Sequence, residues 1–149
     1  MPKCLCCQKL QILVNKMKNA TLENLVSYSR LLYELPNSKF HHLSFILRNG
    51  IVSSFGWNDT HKTHPLALKY GTRHSSIHSE LQAIIRFKGW ISDLRKTTLV
   101  NVRLGAKGQA LLAKPCVPCQ KMLVSFGIKK VFYTNQFGQF EVLKCNLEN

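Results

Sequence analysis

The sequence reads His78-Ser79-Glu80 at residues 78–80 and Pro115-Cys116-Val117-Pro118-Cys119 at residues 115–119. The first segment opens an apolar run, residues 81–87, which predicts a buried helix with Gly89 as its C-cap. The second segment begins with a proline suited to the first position of a helix, and that helix is predicted over residues 116–126. Two helix beginnings that carry a histidine, two cysteines and a carboxylate are therefore expected to converge.

The number of metal-binding side chains in these segments is the number that a hydrolytic zinc site uses. Such a site takes three protein ligands and leaves the fourth position to water. His78, Cys116 and Cys119 supply the three ligands, and the cysteines share one helix turn whose dipole stabilises thiolates. Glu80 lies near enough to reach the water without binding the metal. The pattern predicts one Zn²⁺ per chain, with Glu80 as the residue that moves protons.

A closed structural zinc site is the alternative, because a C-x-x-C segment alone is also typical of structural or redox cysteines. Its fourth ligand would be Glu80 or a histidine from residues 58–76, a polar stretch interpreted as a long functional loop with one possible helical turn at residues 66–70. The histidines in question are His61, His64 and His74.

The part of the chain before the first motif predicts a helix followed by a hairpin. Residues 21–34 place apolar groups three and four apart behind Thr21, an N-cap residue, which is typical of an amphipathic helix. Residues 40–47 and 51–57 are β-prone runs separated by a segment that ends in Asn49-Gly50, and this pair is a strong hairpin signal.

The strands after the first motif decide the sheet topology. Residues 99–104 and 129–134 flank the second helix, so they are predicted to pair in parallel through a right-handed crossover, with residues 105–109 as a flexible connector. Only residues 135–138 separate the next strand, residues 140–143, from its predecessor, which leaves no room for a crossover helix. The last strand of a five-stranded mixed sheet is therefore expected to run antiparallel.

The chain length of 149 residues, with 45% hydrophobic composition, fits one domain. We expect a basic N-terminal extension at residues 1–20 and a single domain at residues 21–149. No segment reads as a signal peptide or a membrane span, so we expect a cytoplasmic or otherwise intracellular protein that is not secreted, contacts no membrane and has no structural disulfide. The remaining cysteines are interpreted as thiols of the N-terminus (Cys4, Cys6, Cys7) and as core or edge packing (Cys145).

Taken together, the two motifs resemble those of the cytidine deaminase-like superfamily, and the resemblance extends over residues 21–144. It implies a three-layer α-β-α fold of the type that ends in a C-terminal hairpin, and hydrolytic deamination of a nucleobase. By resemblance, Asn58 would bind the base or its sugar, and the backbone N–H of Ser79, where the family has alanine, would contact the base carbonyl. The hairpin ending disfavours a tRNA adenosine deaminase.

The net charge of +14, from 21 Lys and Arg against 7 Asp and Glu, favours an anionic partner. The surplus is spread evenly, because residues 1–75 carry ten basic and three acidic groups and residues 76–149 carry eleven and four. We expect deamination of cytosine in nucleic acid, with DNA favoured over RNA and with Trp57 either stacking on bases or packing in the core. The predicted phosphate contacts are the basic residues of loops near the metal site: Lys62, Lys69, Arg73, Lys107, Lys114.

Two other functions stay open. The first is deamination of free cytidine, deoxycytidine or dCMP, since one phosphate needs only one or two cations. Such enzymes usually form oligomers to complete the site, and the sequence leaves the oligomeric state of this chain open. The second is a non-catalytic nucleic-acid-binding module stabilised by zinc, in which Glu80 would be dispensable.

Overall fold

The computed structural model describes residues 21–34, 41–73 and 76–145. The predicted extension at residues 1–20, residue Phe40 of the first predicted strand, and His74 lie outside the described residues. None of the described helices has the length and apolar character to span a membrane.

The chain alternates helices and strands. The helices are α1 (Leu22–Tyr33), α2 (Pro65–Tyr70), α3 (Ser79–Ile85) and α4 (Val117–Ser125), with a 3₁₀ helix at Ile91–Lys96. The strands are β1 (His42–Arg48), β2 (Ile51–Trp57), β3 (Asp59–Thr63), β4 (Ser76–Ile77), β5 (Thr98–Leu104), β6 (Ala110–Leu111), β7 (Lys130–Thr134) and β8 (Phe140–Lys144).

The main sheet is mixed and follows the strand order β2-β1-β5-β7-β8, with the short strand β6 paired to β5. Strands β5 and β7 pair in parallel around α4, whereas β8 returns antiparallel to β7. The parallel pair and the antiparallel last strand are thus confirmed. Strand β6 adds a sixth member, because the predicted connector at residues 105–109 closes a tight turn in which Gly105 N–H donates to the Gln109 carbonyl.

Two apolar clusters on opposite faces of the sheet make the fold three-layered, as predicted. The cluster beneath α1 is built on Leu25 and Leu32 of the helix and on Phe45 of β1. The cluster on the other face contains Leu81 of α3 and Leu123 of α4, together with Cys145, whose predicted packing role is confirmed. Helices α3 and α4 therefore share one face of the sheet, and α1 covers the other.

Two sequence predictions about helix boundaries were wrong. Helix α3 ends at Ile85, not near Gly89, because the chain turns back where Phe87 N–H donates to the Ile84 carbonyl. Helix α4 begins at Val117 with Cys116 as its N-cap residue, so the proline of its first turn is Pro118 and not Pro115.

Residues 58–76, predicted as a long irregular loop, form three short elements, and the possible helical turn at residues 66–70 is confirmed. Strand β3 pairs with β4, and α2 lies between them. The ring of His64 caps this helix, because its Nδ1 accepts from Leu66 N–H at 3.1 Å, and Pro65 fixes the first helical position. These local bonds were invisible to hydrophobic periodicity, because the residues of β3 are polar and mostly exposed.

Helix α3 packs closely on the backbone of β2 at Gly56. A Cβ atom at this position would overlap the backbone of Ser79 and Ala83, and the Ser54 hydroxyl beside it donates to the Ala83 carbonyl at 2.7 Å. The turn that leads into β2 is of the expected Asn-Gly type, with positive φ angles of 52° at Asn49 and 73° at Gly50.

We predict that Gly56→Ala lowers the free energy of unfolding by about 3 kcal/mol or more, because the added methyl meets rigid backbone atoms. The matched variant Gly50→Ala meets no atom within 4 Å and should cost only about 1 kcal/mol for its positive φ angle. Urea unfolding of both variants measures the difference, and equal losses would contradict the steric account.

Candidate active site

Three side chains from two helix beginnings meet on the face of the sheet that carries α3 and α4. His78 is the N-cap residue of α3 and Cys116 the N-cap residue of α4, while Cys119 is the third residue of α4. The His78 side chain makes no capping hydrogen bond to α3. The ligand atoms of the three residues lie within 4.8 Å of one another, so the predicted metal group is brought together.

The distances within this group fit a zinc ion. His78 Nδ1 lies 3.6 Å from Cys116 Sγ and 3.4 Å from Cys119 Sγ. Zinc–nitrogen and zinc–sulfur bonds of about 2.1 and 2.3 Å, set at a tetrahedral angle, separate the nitrogen and sulfur atoms by roughly 3.6 Å. The donor set therefore fits zinc, with Nδ1 as the nitrogen that faces both cysteines.

The two cysteines differ sharply in acidity. A hydrogen bond from Cys119, aided by the His78 ring, lowers the pKa of Cys116 to about 4. The same contact with Cys116, together with burial, raises the pKa of Cys119, and the hydrogen bond to Cys116 raises the pKa of His78. Without metal, the exposed Cys116 is therefore the thiolate of the pair, and the buried Cys119 holds the proton.

Glu80 lies beside the group of three and outside it. Among the described residues, the set whose ligand atoms share one small volume is His78, Cys116 and Cys119, and it includes neither Glu80 nor His61 or His64. The closed zinc site with one of these residues as fourth ligand thus gains no support from the distances.

Both oxygens of the buried Glu80 carboxylate are held by neighbours. Asn101 Nδ2 donates to Oε1 at 2.7 Å, and Ser79 Oγ lies 3.3 Å from Oε2. Ser44 Oγ lies 2.7 Å from Ser79 Oγ and 2.6 Å from Asn101 Oδ1. Glu80 and three neighbours, Ser79, Ser44 and Asn101, therefore form a closed polar ring, and all four side chains are buried.

The ring members Ser44 and Asn101 were missed by the sequence reading. Each of them is a polar residue inside an otherwise apolar strand. This pattern could have identified them, because a buried polar group needs a hydrogen-bond partner. Strand register then brings them together, because Ser44 of β1 lies directly opposite Asn101 of β5.

His42 is a further neighbour that the sequence reading missed. It lies two residues before Ser44 on β1, and its ring pKa is lowered by burial, an effect that the charge of Glu80 opposes. Its Nε2 atom is buried and has no hydrogen-bond partner among the residues that the structure describes. The spacing of His41 and His42 in the sequence does not indicate that His42 lies near Glu80. Its position follows from the register of β1 in the sheet.

Of the predicted substrate contacts, Asn58 and Ser79 are brought together and Trp57 is not. Ser79 N–H donates to Asn58 Oδ1 at 2.7 Å, so the amide expected to face a base is already engaged. The Trp57 ring packs on Phe55, 5.8 Å between centroids, in the cluster on the α1 face. The guanidinium of Arg86 lies 4.8 Å from the same ring.

The predicted basic contacts lie on separate elements. Lys62 of β3 is paired with Asp59 at 3.9 Å, and Lys69 of α2 lies over the Tyr70 ring at 5.4 Å. Arg73 is exposed after α2, and Lys114 is exposed just before Cys116. The turn that contains Lys107 packs against α1, on the face of the sheet opposite α3 and α4. Tyr33 of α1 donates to the Ala106 carbonyl in this turn.

Among known proteins, solved structures were found that are similar to this chain. No family model matches the sequence, and no curated protein matches it. A dCMP deaminase from cyanophage S-TIM5, solved without ligand, superposes with a TM-score of 0.48 at 20% identity, covering 76% of this chain and 82% of that one. Its complex with dCMP and dUMP gives 0.49 at 23% identity, covering 76% and 80%.

The acidities of the cysteines predict which thiol reacts first. In metal-free protein at pH 7, iodoacetamide should modify Cys116 at least about tenfold faster than Cys119 or the buried Cys145, because the thiolate is the nucleophile. One equivalent of zinc should protect Cys116 and leave the slow reaction of Cys145 unchanged. Peptide mass spectrometry gives the rates, and faster labelling of Cys119 would overturn the assignment.

Proposed function

We propose that this chain is a zinc-dependent hydrolase that converts cytosine to uracil in a cytosine nucleotide and releases ammonia. The placement of Glu80 carries the proposal. Its carboxylate lies next to three metal-type side chains, outside their group, and both of its oxygens are held by hydrogen-bonding neighbours. A structural zinc site needs no such carboxylate, whereas a hydrolytic site needs a proton carrier beside the metal.

The reaction divides between the metal ligands and Glu80. Zinc held by His78, Cys116 and Cys119 would supply Lewis acidity that activates water for attack on C4 of the base. Glu80 takes a proton from the attacking water and gives it to N3 of the ring. It then takes the remaining proton from the hydroxyl group on C4 and passes it to the departing amino group, and the C4 carbonyl forms as the C4–N bond breaks. One water is consumed, one ammonia leaves, and Glu80 returns to its starting state.

The hydrogens of the polar ring support a proton-carrying Glu80. Three of its contacts, Glu80–Ser79, Ser79–Ser44 and Ser44–Asn101 Oδ1, each need one hydrogen. The two serine hydroxyls supply only two. A proton on Glu80 Oε2 supplies the third, so the ring accommodates the protonated carboxyl without moving a side chain.

Asn58 is the residue that we propose for orienting the base. Its Oδ1 is occupied by Ser79 N–H, and no described residue accepts from its Nδ2, which is thereby available to donate to a base or a sugar. Ser79 is fully buried and would act by holding Asn58 and Glu80. In this respect the proposal departs from the family pattern, in which the amide at this position contacts the base.

A mononucleotide is the substrate that the basic residues support best. Lys107 lies on the layer of α1, Lys62 is paired with Asp59, and Lys114 stands immediately before the metal-binding helix. One phosphate needs only one or two such cations. A single-stranded nucleic acid is the second candidate, because the net charge of +14 favours a polyanion.

The test is a panel of zinc-loaded protein with dCMP, deoxycytidine, single-stranded DNA, duplex DNA and RNA, read out as uracil formed. We chose dCMP as the first probe because a similar solved structure holds dCMP and dUMP. Uracil from dCMP is expected, and uracil from polymer alone, with a rate that falls steeply with salt, would favour the second candidate. Zinc-loaded protein that deaminates none of these substrates would end the proposal.

Glu80→Gln should lower kcat by at least about 10²-fold, because it removes the proton carrier while retaining the shape of the side chain. Its zinc content should stay at one equivalent. Glu23→Gln, an exposed change in the first turn of α1, is the matched control and should leave both quantities unchanged. Full activity of Glu80→Gln would contradict the assignment of Glu80 as the proton carrier.

A further inference from the structure

Asn101 is a polar side chain at the centre of an apolar strand. It has no exposed surface, and its neighbours along β5, Val100 and Val102, belong to the cluster beneath α1. Its Nδ2 donates to Glu80 Oε1 at 2.7 Å and to the Ala113 carbonyl at 3.2 Å. Two acceptors on one side fix the orientation of the amide, because the flipped form would set Oδ1 against both oxygens.

Ser44 locks the other end of the same amide. Its Oγ lies 2.6 Å from Asn101 Oδ1 and 2.7 Å from Ser79 Oγ, the hydroxyl that lies 3.3 Å from Glu80 Oε2. The central strands β1 and β5 thereby hold one carboxylate oxygen directly and the other through Ser79. Glu80 is anchored by the sheet at both oxygens, although it belongs to α3.

This anchoring has a chemical consequence because a carboxylate is itself a zinc ligand. Glu80 follows His78 by two residues in the first turn of α3, so rotation of an unanchored side chain would carry a carboxylate oxygen toward the metal group. We infer that Asn101 and Ser44 are positioning residues that hold the Glu80 carboxylate outside the metal's coordination sphere, which keeps one metal position open for water. The inference rests on the proposed function, since it concerns the same site.

The test compares Asn101→Ala and Ser44→Ala with Ser54→Ala. Ser54 is the matched control, because its buried hydroxyl also donates a 2.7 Å hydrogen bond beneath α3, yet to the Ala83 carbonyl and not to the ring around Glu80. Each zinc-loaded variant is measured for metal content, unfolding midpoint, kcat and KM with dCMP. Each cobalt(II)-loaded variant is titrated with azide, and its visible spectrum shows whether a metal position is open to an outside ligand.

The expected result is a fall of about 10- to 100-fold in kcat for Asn101→Ala, with KM changed by less than roughly threefold and metal retained. Its cobalt spectrum should no longer respond to azide, because Glu80 fills the open position, whereas wild type and Ser54→Ala should respond. Ser44→Ala should show the same two effects to a lesser degree, and it decides the question if Asn101→Ala does not fold.

An azide response in Asn101→Ala equal to that of wild type would overturn the inference, whatever happens to kcat. Equal losses of kcat in Ser54→Ala and Asn101→Ala would also overturn it, because they would show that any buried hydrogen bond beneath α3 matters alike. The azide titration requires no turnover. If wild type fails to deaminate any substrate, the proposed function fails, while the cobalt spectra still decide whether Asn101 and Ser44 hold Glu80 away from the metal.

Discussion

The first turn of α3 lies directly on the backbone of β2 at Gly56, and the geometry of the candidate site depends on this contact. A side chain at residue 56 would push away the backbone of Ser79, whose neighbours His78 and Glu80 carry a metal ligand and the carboxylate. Because protein interiors are close-packed, a shift of this turn would be passed on to both residues. The distance between the histidine and the cysteines of α4 is therefore set by how closely a helix approaches a strand.

The polar ring beneath that turn fixes the Glu80 carboxylate in addition. Ser44 and Asn101 lie side by side in the sheet between two apolar clusters, where an unpartnered polar group would cost about 1–3 kcal/mol. Each member of the ring satisfies another, so the same contacts that remove this cost also fix the carboxylate of Glu80. Stability and placement of the proposed proton carrier are in this way coupled.

The motif residues could be predicted from the sequence because their chemistry is local: His78 opens one helix, and Cys116 and Cys119 share one turn of another. The hairpin at Asn49-Gly50 and the antiparallel last strand followed from turn chemistry and from a short connection. Asn101 and Ser44 could not be placed, because their meeting depends on the register of strands distant in the sequence. The end of α3 was predicted wrongly from Gly89, because the chain already turns at Arg86.

The predicted substrate contacts likewise divide into features that the local sequence indicates and features that only the fold determines. Trp57 and Asn58 are adjacent in the sequence, but strand alternation sends the Trp57 ring to the α1 face while the Asn58 amide bonds to Ser79 beside the metal group. A basic composition likewise indicates an anionic partner without saying where the charges lie. Lys107 lies on the layer opposite the metal group, which only the folded chain reveals.

The central claim is that three side chains hold zinc while Glu80 stays outside its coordination sphere. A crystal structure of the zinc-loaded protein, with anomalous data at the zinc edge, tests it most directly. We predict one anomalous peak bonded to His78 Nδ1 and to both cysteine sulfurs, at about 2.1 and 2.3 Å, with Glu80 still accepting from Asn101. A Glu80 oxygen bonded to the ion at about 2.0 Å, or an ion bound elsewhere, would contradict the account.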